Sequence, residues 1–387
     1  MATTYAHRPR ILDADSHLME GLTWLRDHAD PAGRELLPDL SRALDKGGAG
    51  AGKAIQAGEA RINDPEKTEA LADDVIASAK GWFALGAMDT AERSRAMDLL
   101  GFEAQFVFST FSVGLFAFND DADTVYAGTT AHNRMMSEFC GDDQRLIPVG
   151  FLPLNDPDRS LVALEEALDM GCRAMWMAHA TSAGKSPSHI EHDPVWAALA
   201  DAGIPALLHI GGGKSNVGKA WHNNGLPRPV DLHGGGENLR AKDLPSVQHA
   251  AETWLTAMVL DGVFDRFPAL RCGVIEMGAS WVPSLLDRLD YAAKSFARTE
   301  PTIAELELKP SEYVRRQVRF TPFPGEDVGK MITQSSPELY LFSSDYPHPE
   351  GTKDPIGKFE HSMDNADVDA DARQLFYEDN MRTLISG

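Results

Sequence analysis

Cysteine is scarce. The 387-residue chain has three, Cys140, Cys172 and Cys272, far apart and none in a Cys-x-x-Cys pair. That spacing argues against a disulfide framework and a zinc–thiolate site, and reads as buried small hydrophobes in a reducing compartment. Positive charge is scarce too: 36 Lys and Arg stand against 58 Asp and Glu, a formal net charge of −22. A chain this acidic repels phosphate backbones and anionic lipid, so no nucleic-acid or membrane partner is expected. A bound cation can still invert the field inside one cleft and admit an anionic substrate. No run of ~18 apolar residues occurs, and Met1 to Arg10 lacks an apolar leader core, so the expectation is a cytoplasmic protein.

Apolar residues make up 43% of the chain, enough for a large core. Its length suits a barrel with insertions, since such barrels run from ~250 to past ~400 residues. Eight short apolar runs recur: Arg10–Asp15, Ala104–Phe108, Leu146–Leu152, Arg173–Met177, Pro205–Ile210, Cys272–Glu276, Val314–Phe320 and Leu339–Ser344. Continuous runs of this kind read as parallel strands buried on both faces. Helical spacing lies between most of them, at Ser160–Met170, Pro194–Ala202, Gln248–Val263 and Val282–Ala293. The alternation implies a parallel sheet, and eight strands favour a closed (β/α)8 TIM barrel over an open doubly wound sheet. The whole of 1–387 reads as one barrel domain with two departures. Residues 18–98 form a helical insertion after strand 1, with helices expected at Trp24–His28, Arg34–Leu44 and Thr68–Trp82 and a Gly/Ala-rich piece at Gly47–Lys53. Residues 211–244, rich in Gly, Asn, Lys and His, form a lid-like loop after strand 5. Ala370–Ile385 has the spacing of a helix packed on the barrel's outside.

Three places carry metal-competent side chains. Strand residues at i and i+2 share a face, so Asp13, Asp15 and His17 point together into the interior, where carboxylates need a strong partner. His209 ends a strand and opens into Gly211-Gly212-Gly213, where barrel active sites sit. Asp345 follows the last strand in Ser343-Ser344-Asp345-Tyr346-Pro347-His348. Alone, each has a plain structural reading: an acidic strand end, a core histidine, a turn cap. Together, strands one, five and eight each end in a ligand, and the expectation is a single divalent ion held by Asp15, His17, His209 and Asp345. Asp13 with His17 is the alternative first pair. Zinc is the favoured metal, with manganese or iron as alternatives.

This pattern resembles the amidohydrolase superfamily, and more closely the amidohydrolase-related branch that includes aminocarboxymuconate-semialdehyde and γ-resorcylate decarboxylases. Met97–Phe102, Arg145–Pro148, Glu276-Met277-Gly278 before Trp281 and Pro283, and Ser344–His348 support the resemblance. It implies that Asp345 is both ligand and proton acceptor, and that the protein is a homodimer. Two departures matter. Arg173–Met177 offers no lysine for a second metal, so one ion is expected. Glu276 stands where a strand-six histidine is usual; it substitutes for that histidine or orients a ligand. His179 and His348 are further candidates to bind or protonate substrate. Trp176, Arg240, Arg288 and Arg319 are candidates for holding it, with Phe111, Phe116, Trp221 and Phe323 as further aromatic candidates. The favoured reaction is hydrolysis of a small cyclic or aromatic carbonyl compound through a metal-activated water. The alternatives are non-oxidative decarboxylation of an aromatic or enol acid, and a non-catalytic ligand-binding barrel.

Overall fold

The computed structural model describes residues 4–8, 10–41, 51–213, 217–227 and 241–386. Seven strands form one parallel sheet in chain order: β1 (Ile11–Leu18), β2 (Phe102–Ser109), β3 (Leu146–Phe151), β4 (Ala174–Trp176), β5 (Ala206–His209), β6 (Cys272–Ile275) and β7 (Val318–Phe320). Residues 340–346 link the two edges. Tyr340 bridges Phe320 of β7, and Tyr346 bridges Ser16 of β1. The Leu341 N–H donates to Phe320 O at 2.9 Å, and the Ala14 N–H to Phe342 O at 3.0 Å. No regular strand forms in this eighth segment, because Asp345 has φ +52° and breaks the ladder. The curled parallel sheet is consistent with a TIM barrel.

The strands sort their side chains by the two-residue period. Phe106, Phe108, Ala174, Trp176, Leu207 and Ile275 share one apolar cluster with Leu12, Ala14, Val149, Phe151 and Leu341. Val107, Met175, Leu208 and Val274 belong to a second, larger cluster together with helix residues such as Trp196, Leu255, Phe264 and Leu285. The first cluster is the interior of the curled sheet; the second is the layer between sheet and helices. Buried apolar area of this extent is the main favourable term holding the fold.

Several helices differ from expectation. Val314–Gln317 is the end of a helix, Pro310–Gln317, and only Val318–Phe320 is strand. Pro310 in its first turn and Glu312 reaching back to the Lys309 N–H at 2.8 Å start that helix. The expected helix at Thr68–Trp82 is two pieces, Pro65–Ala72 and a short turn at Gly81–Phe83. The Gly/Ala-rich stretch runs into a helix, Ala51–Ile62. Of the helix expected at Arg34–Leu44, Arg34–Leu36 is helical as the end of Pro31–Leu36; the chain is extended at Leu37, and 42–44 lie outside the described residues. Gln248–Val263 stops at Leu260, and Gly262, at φ +73°, starts a second helix at Val263. The C-terminal helix runs as expected, except for a wider π turn at Leu375–Asp379. Of residues 211–244, the described part includes one short helix, Lys219–His222. All three cysteines are buried and unpaired. Among the described residues no helix is long and apolar enough to cross a membrane.

The 19-residue helix Ala122–Cys140 fixes the upper ends of two strands. His132 Nε2 meets Ser109 Oγ of β2 at 3.0 Å, and its Nδ1 meets Asn133 Oδ1 at 3.0 Å. Asn133 in turn donates to Phe151 O at 3.1 Å and accepts from the Phe151 N–H at 2.7 Å. Burial pushes His132 down to about 4 from an ordinary value of 6.5. Between those values the unfolded chain binds a proton that the folded chain refuses, so stability falls as pH drops from 6.5 to 4. The expected loss is roughly 3 kcal/mol. Urea unfolding at pH 7 and pH 4.5 measures it, and His132→Gln should flatten that component of the pH slope.

Candidate metal centre

The site is built from strand ends. β1 and β2 pair Asp13 with Gln105 but Ser16 with Val107, so β1 carries one extra residue between these pairs. That bulge reverses the alternation: Leu12 and Ala14 face the interior, and after it so do Asp15 and His17. Asp13 therefore leaves the face it was expected to share. It accepts from Gln105 Nε2 at 2.7 Å and from the Ser344 N–H at 2.8 Å, tying β1 to β2 and to the closing segment. His209 keeps the inward parity of Leu207. Glu276 follows inward-facing Ile275 and would point outward, but its φ of +53° turns the chain there. Asp345 has the same left-handed backbone. Neither residue is glycine, so both conformations are strained, and strain of this kind concentrates at functional sites.

The donors converge. His17 Nε2 lies 3.2 Å from Asp15 Oδ1, 3.5 Å from Asp345 Oδ1 and 3.8 Å from Glu276 Oε2, none in hydrogen-bonding geometry. His209 Nε2 lies 3.3 Å from Asp15 Oδ1 and 3.4 Å from Glu276 Oε2. All five residues are at most 5% exposed. His209 Nδ1 sits 2.8 Å from the Ile210 carbonyl, to which it can only donate. A neutral ring protonated there turns an Nε2 lone pair towards the carboxylate oxygens. Acceptor then faces acceptor in a dry interior, an arrangement that a cation between them relieves. Ligands bound at ~2.1 Å around one ion stand ~3.0–3.4 Å apart, close to the separations here. The residues present thus fit a divalent ion in either of two overlapping donor sets: Asp15, His17, His209 and Glu276, or His17, Glu276, Asp345 and His348.

Protonation follows from these contacts. Burial raises the Asp15 carboxyl, and hydrogen bonds or positive charge from His17 and His209 lower it; with those imidazoles neutral, a bound cation takes over that part. Burial, with His348 beside it, pushes His17 down to about 3, which keeps a ligating imidazole neutral. Burial pushes Asp345 up to about 6, against the opposing pull of His348. His348 Nδ1 lies 2.9 Å from Asp345 Oδ1, and the His348 ring stacks on His17 at 3.9 Å. Thr110 Oγ1 donates to Leu18 O at 2.9 Å and meets His348 Nε2 at 3.0 Å. With its proton committed, Thr110 accepts from Nε2–H, so His348 turns Nδ1 towards Asp345. Asp345 Oδ1 and His348 Nδ1 thus face each other at 2.9 Å without the alignment of a hydrogen bond.

Comparison with known proteins gives the family and the fold. A family model described as Amidohydrolase matches residues 13–385. The chain belongs to the amidohydrolase family. A search of curated proteins finds no match. Among solved structures, an amidohydrolase from Mycobacterium avium subsp. paratuberculosis K-10 is 23% identical with a TM-score of 0.71, over 98% of this chain and 100% of that one. The 5-carboxyvanillate decarboxylase of Novosphingobium aromaticivorans DSM 12444, complexed with manganese and 4-hydroxy-3-methoxy-5-nitrobenzoic acid, is 17% identical with a TM-score of 0.64, over 100% of this chain and 99% of that one. A dihydroxybenzoic acid decarboxylase from Polaromonas sp. JS666, with bound manganese and the inhibitor 2-nitroresorcinol, is 15% identical with a TM-score of 0.62, over 98% and 97% of the two chains. At these identities the likeness establishes a shared fold.

The remaining candidates divide. Trp176 packs on His209 with ring centroids 5.0 Å apart, beside Phe108. His179 lies next to the glycine run: a Cβ on Gly213 would fall 2.2 Å from His179 Cε1, and one on Gly212 2.8 Å from Trp176 Nε1. Glycine there lets the backbone pass against both rings. Burial pushes His179 down to about 4. Phe116 packs on Phe151, Phe111 stacks on Trp82, and Phe323 lies against Gly278. Trp221 is exposed. Arg288 pairs with Glu252 at 2.7 Å on the outer helices. Arg319 donates to the carbonyls of Arg315 and Val318, at the end of the sheet away from the cluster. Neither reaches the donors; Arg240 lies outside the described residues.

Sequence reasoning missed three supports. Glu20, buried just past β1, accepts from the backbone N–H groups of Thr110, Phe111 and Ser112 at 3.2, 3.0 and 2.8 Å, fixing the loop that carries Thr110. A third acidic residue so close behind His17 was a usable signal. Arg93 donates to the carbonyls of Gly86 and His17 from a fully buried position, and nothing in its neighbourhood in the sequence announces that. Thr110 was equally silent.

The division of labour between the two β1 carboxylates is testable. Asp15→Asn should lower divalent-metal affinity by roughly 100-fold or more, since even groups that only orient ligands cost 10–100-fold. Asp13→Asn should hold metal within a few-fold of wild type while lowering stability by roughly 1–3 kcal/mol. Titration calorimetry with Mn²⁺ and urea unfolding of the two variants separate the outcomes.

Proposed function

We propose that the chain is a metal-dependent decarboxylase of aromatic hydroxy acids, with one divalent ion held by Asp15, His17, His209 and Asp345, drawn from the two donor sets that overlap at His17 and Glu276, and with Glu276 facing the same ion. The observation that carries the metal is the convergence of the His17 and His209 Nε2 atoms on Asp15 Oδ1 at 3.2 and 3.3 Å, with Glu276 and Asp345 beside them. Decarboxylation is favoured over the expected hydrolysis because two of the solved structures that share the fold are aromatic-acid decarboxylases with manganese. The rings of Phe108 and Trp176 against His209 supply the matching apolar wall. Three carboxylates among the donors favour manganese over zinc, since oxygen-rich sets suit manganese. The described part of residues 18–98 is then a helical insertion that supplies Glu20 and Arg93; the lid expected at 211–244 falls in part outside the described residues.

The ion, when bound, neutralises the substrate's carboxylate and adjacent phenolate and orients them. The protein's own groups do the rest. Trp176 and Phe108 hold the aromatic ring and exclude water. Thr110 and Glu20 keep His348 turned towards Asp345. The carbon–carbon bond breaks with its electron pair left on the ring carbon, and CO₂ departs. That carbon takes a proton from the Asp345–His348 pair.

Hydrolysis is the second reading. It is favoured by the same Asp345, whose carboxyl near pH 6 can take a proton and return it to a leaving group. The test is Mn²⁺-loaded protein against 2-hydroxybenzoates on one side and aromatic amides and lactones on the other. CO₂ release from a hydroxybenzoate, reduced by ~10²–10⁴ in Asp345→Asn, is the expected result. Amide or lactone cleavage without any CO₂ would replace decarboxylation by hydrolysis.

A further inference from the structure

A cavity of about 600 Å³ opens beside the cluster, lined by residues that follow β2, β3 and β4 and by the helix Gln248–Leu260. These loops lie on the C-terminal face of the sheet, the face that carries the donors. Its size falls within the ~300–1,000 Å³ of ligand pockets. Trp176 separates it from the donors: one side of the ring system packs on His209 at 5.0 Å, and Phe151, which lines the cavity, lies 6.3 Å from it. Trp176 Nε1 is buried against Gly212 and makes no hydrogen bond.

We propose that this cavity is the subsite for the far end of the substrate, and that it takes a neutral hydrogen-bonding substituent rather than a second carboxylate. The proposal rests on the decarboxylase reading for the near end alone. The lining mixes apolar surface from Phe118 and Phe151 with neutral donors and acceptors from Asn119, Asn155, Thr181 and Ser182. Burial keeps His179, also in the lining, neutral at physiological pH. Asp120 at the rim is the one charged side chain among the described lining residues. An amide or hydroxyl gains hydrogen bonds there. A carboxylate meets Asp120 as a like charge and gives up its hydration without a cation in return. The cavity thus sets specificity: one acid group at the donors, a neutral polar arm beyond Trp176.

The experiment measures binding of three probes to the Mn²⁺-loaded protein by calorimetry: salicylate, 5-acetamidosalicylate and 4-hydroxyisophthalate. The acetamido arm should tighten binding by about tenfold over salicylate, the worth of one or two hydrogen bonds, and the second carboxylate should weaken it. Two cavity-filling variants, Thr253→Phe and Asn155→Leu, should abolish the acetamido gain while leaving salicylate within about twofold. Either variant with an unchanged thermal midpoint suffices. A gain that survives in both, or 4-hydroxyisophthalate binding as tightly as the amide, overturns the subsite. Failure of the decarboxylase reading looks different: salicylate itself then does not bind. In that case 4-hydroxyacetanilide, which has the arm and no acid group, decides the matter. Binding lost in the filled variants supports the subsite, and no binding to wild type overturns it.

Discussion

Asp15 Oδ1 stands 3.2 Å from one imidazole nitrogen and 3.3 Å from another, deep in the interior of the sheet. His209 Nδ1 is committed to the Ile210 carbonyl, so a neutral ring presents only a lone pair at Nε2. Around this contact lie Glu276 and Asp345, further acceptors with little water. A protein interior tolerates such a cage only when positive charge enters it. Much of the surrounding polar structure keeps the acceptors aimed inward: Asp13 bonded to Gln105 and Ser344, Glu20 on three backbone N–H groups, and Arg93 against the His17 carbonyl. These residues touch no substrate, yet they decide where the donors point.

The backbone makes the same choice. A regular barrel strand delivers every second side chain to the interior, and a strict alternation continued from Leu12 and Ala14 would have delivered Ser16 and turned Asp15 and His17 outward. One extra residue in β1 brings them in. Left-handed backbone at Glu276 and Asp345 performs the same service at two other strand ends. Each departure sacrifices some ladder regularity, of order 1–3 kcal/mol for a strained residue, and is retained where a ligand has to be aimed.

That is also where the sequence was legible and where it was not. The runs Ala206–His209 and Cys272–Ile275 read correctly because continuous apolar segments are sufficient evidence of strands buried on both faces. His17, His209 and Asp345 were visible because they end such runs. The bulge was not visible, because nothing in Asp13-Ala14-Asp15-Ser16-His17 marks which residue is extra. Val314–Gln317 was misread as strand because Val314 and the Arg-Arg-Gln that follows carry no period of their own; Pro310 and Glu312, just upstream, start the helix that contains them. Thr110 and Arg93 act through contacts with residues far away in the chain, which local pattern cannot report.

Charge balance ties the proposed centre to its chemistry. A divalent ion is matched by two ionised carboxylates. Asp15 lies between two imidazole nitrogens, and Glu276 adds a second carboxylate 3.4 Å from His209 Nε2. With Asp345 ionised as well, the cage would already exceed the ion's charge before an acidic substrate arrived. The pressure is relieved by a proton at the member whose carboxyl burial lifts to about 6, and His348 faces it at 2.9 Å. An anionic substrate adds to that pressure and draws a proton onto the Asp345–His348 pair. The proton that binding requires for electrostatic reasons is then the proton the departing CO₂ leaves a carbon needing. In this arrangement Glu276, as a further carboxylate beside the ion, draws onto the site the acid it uses.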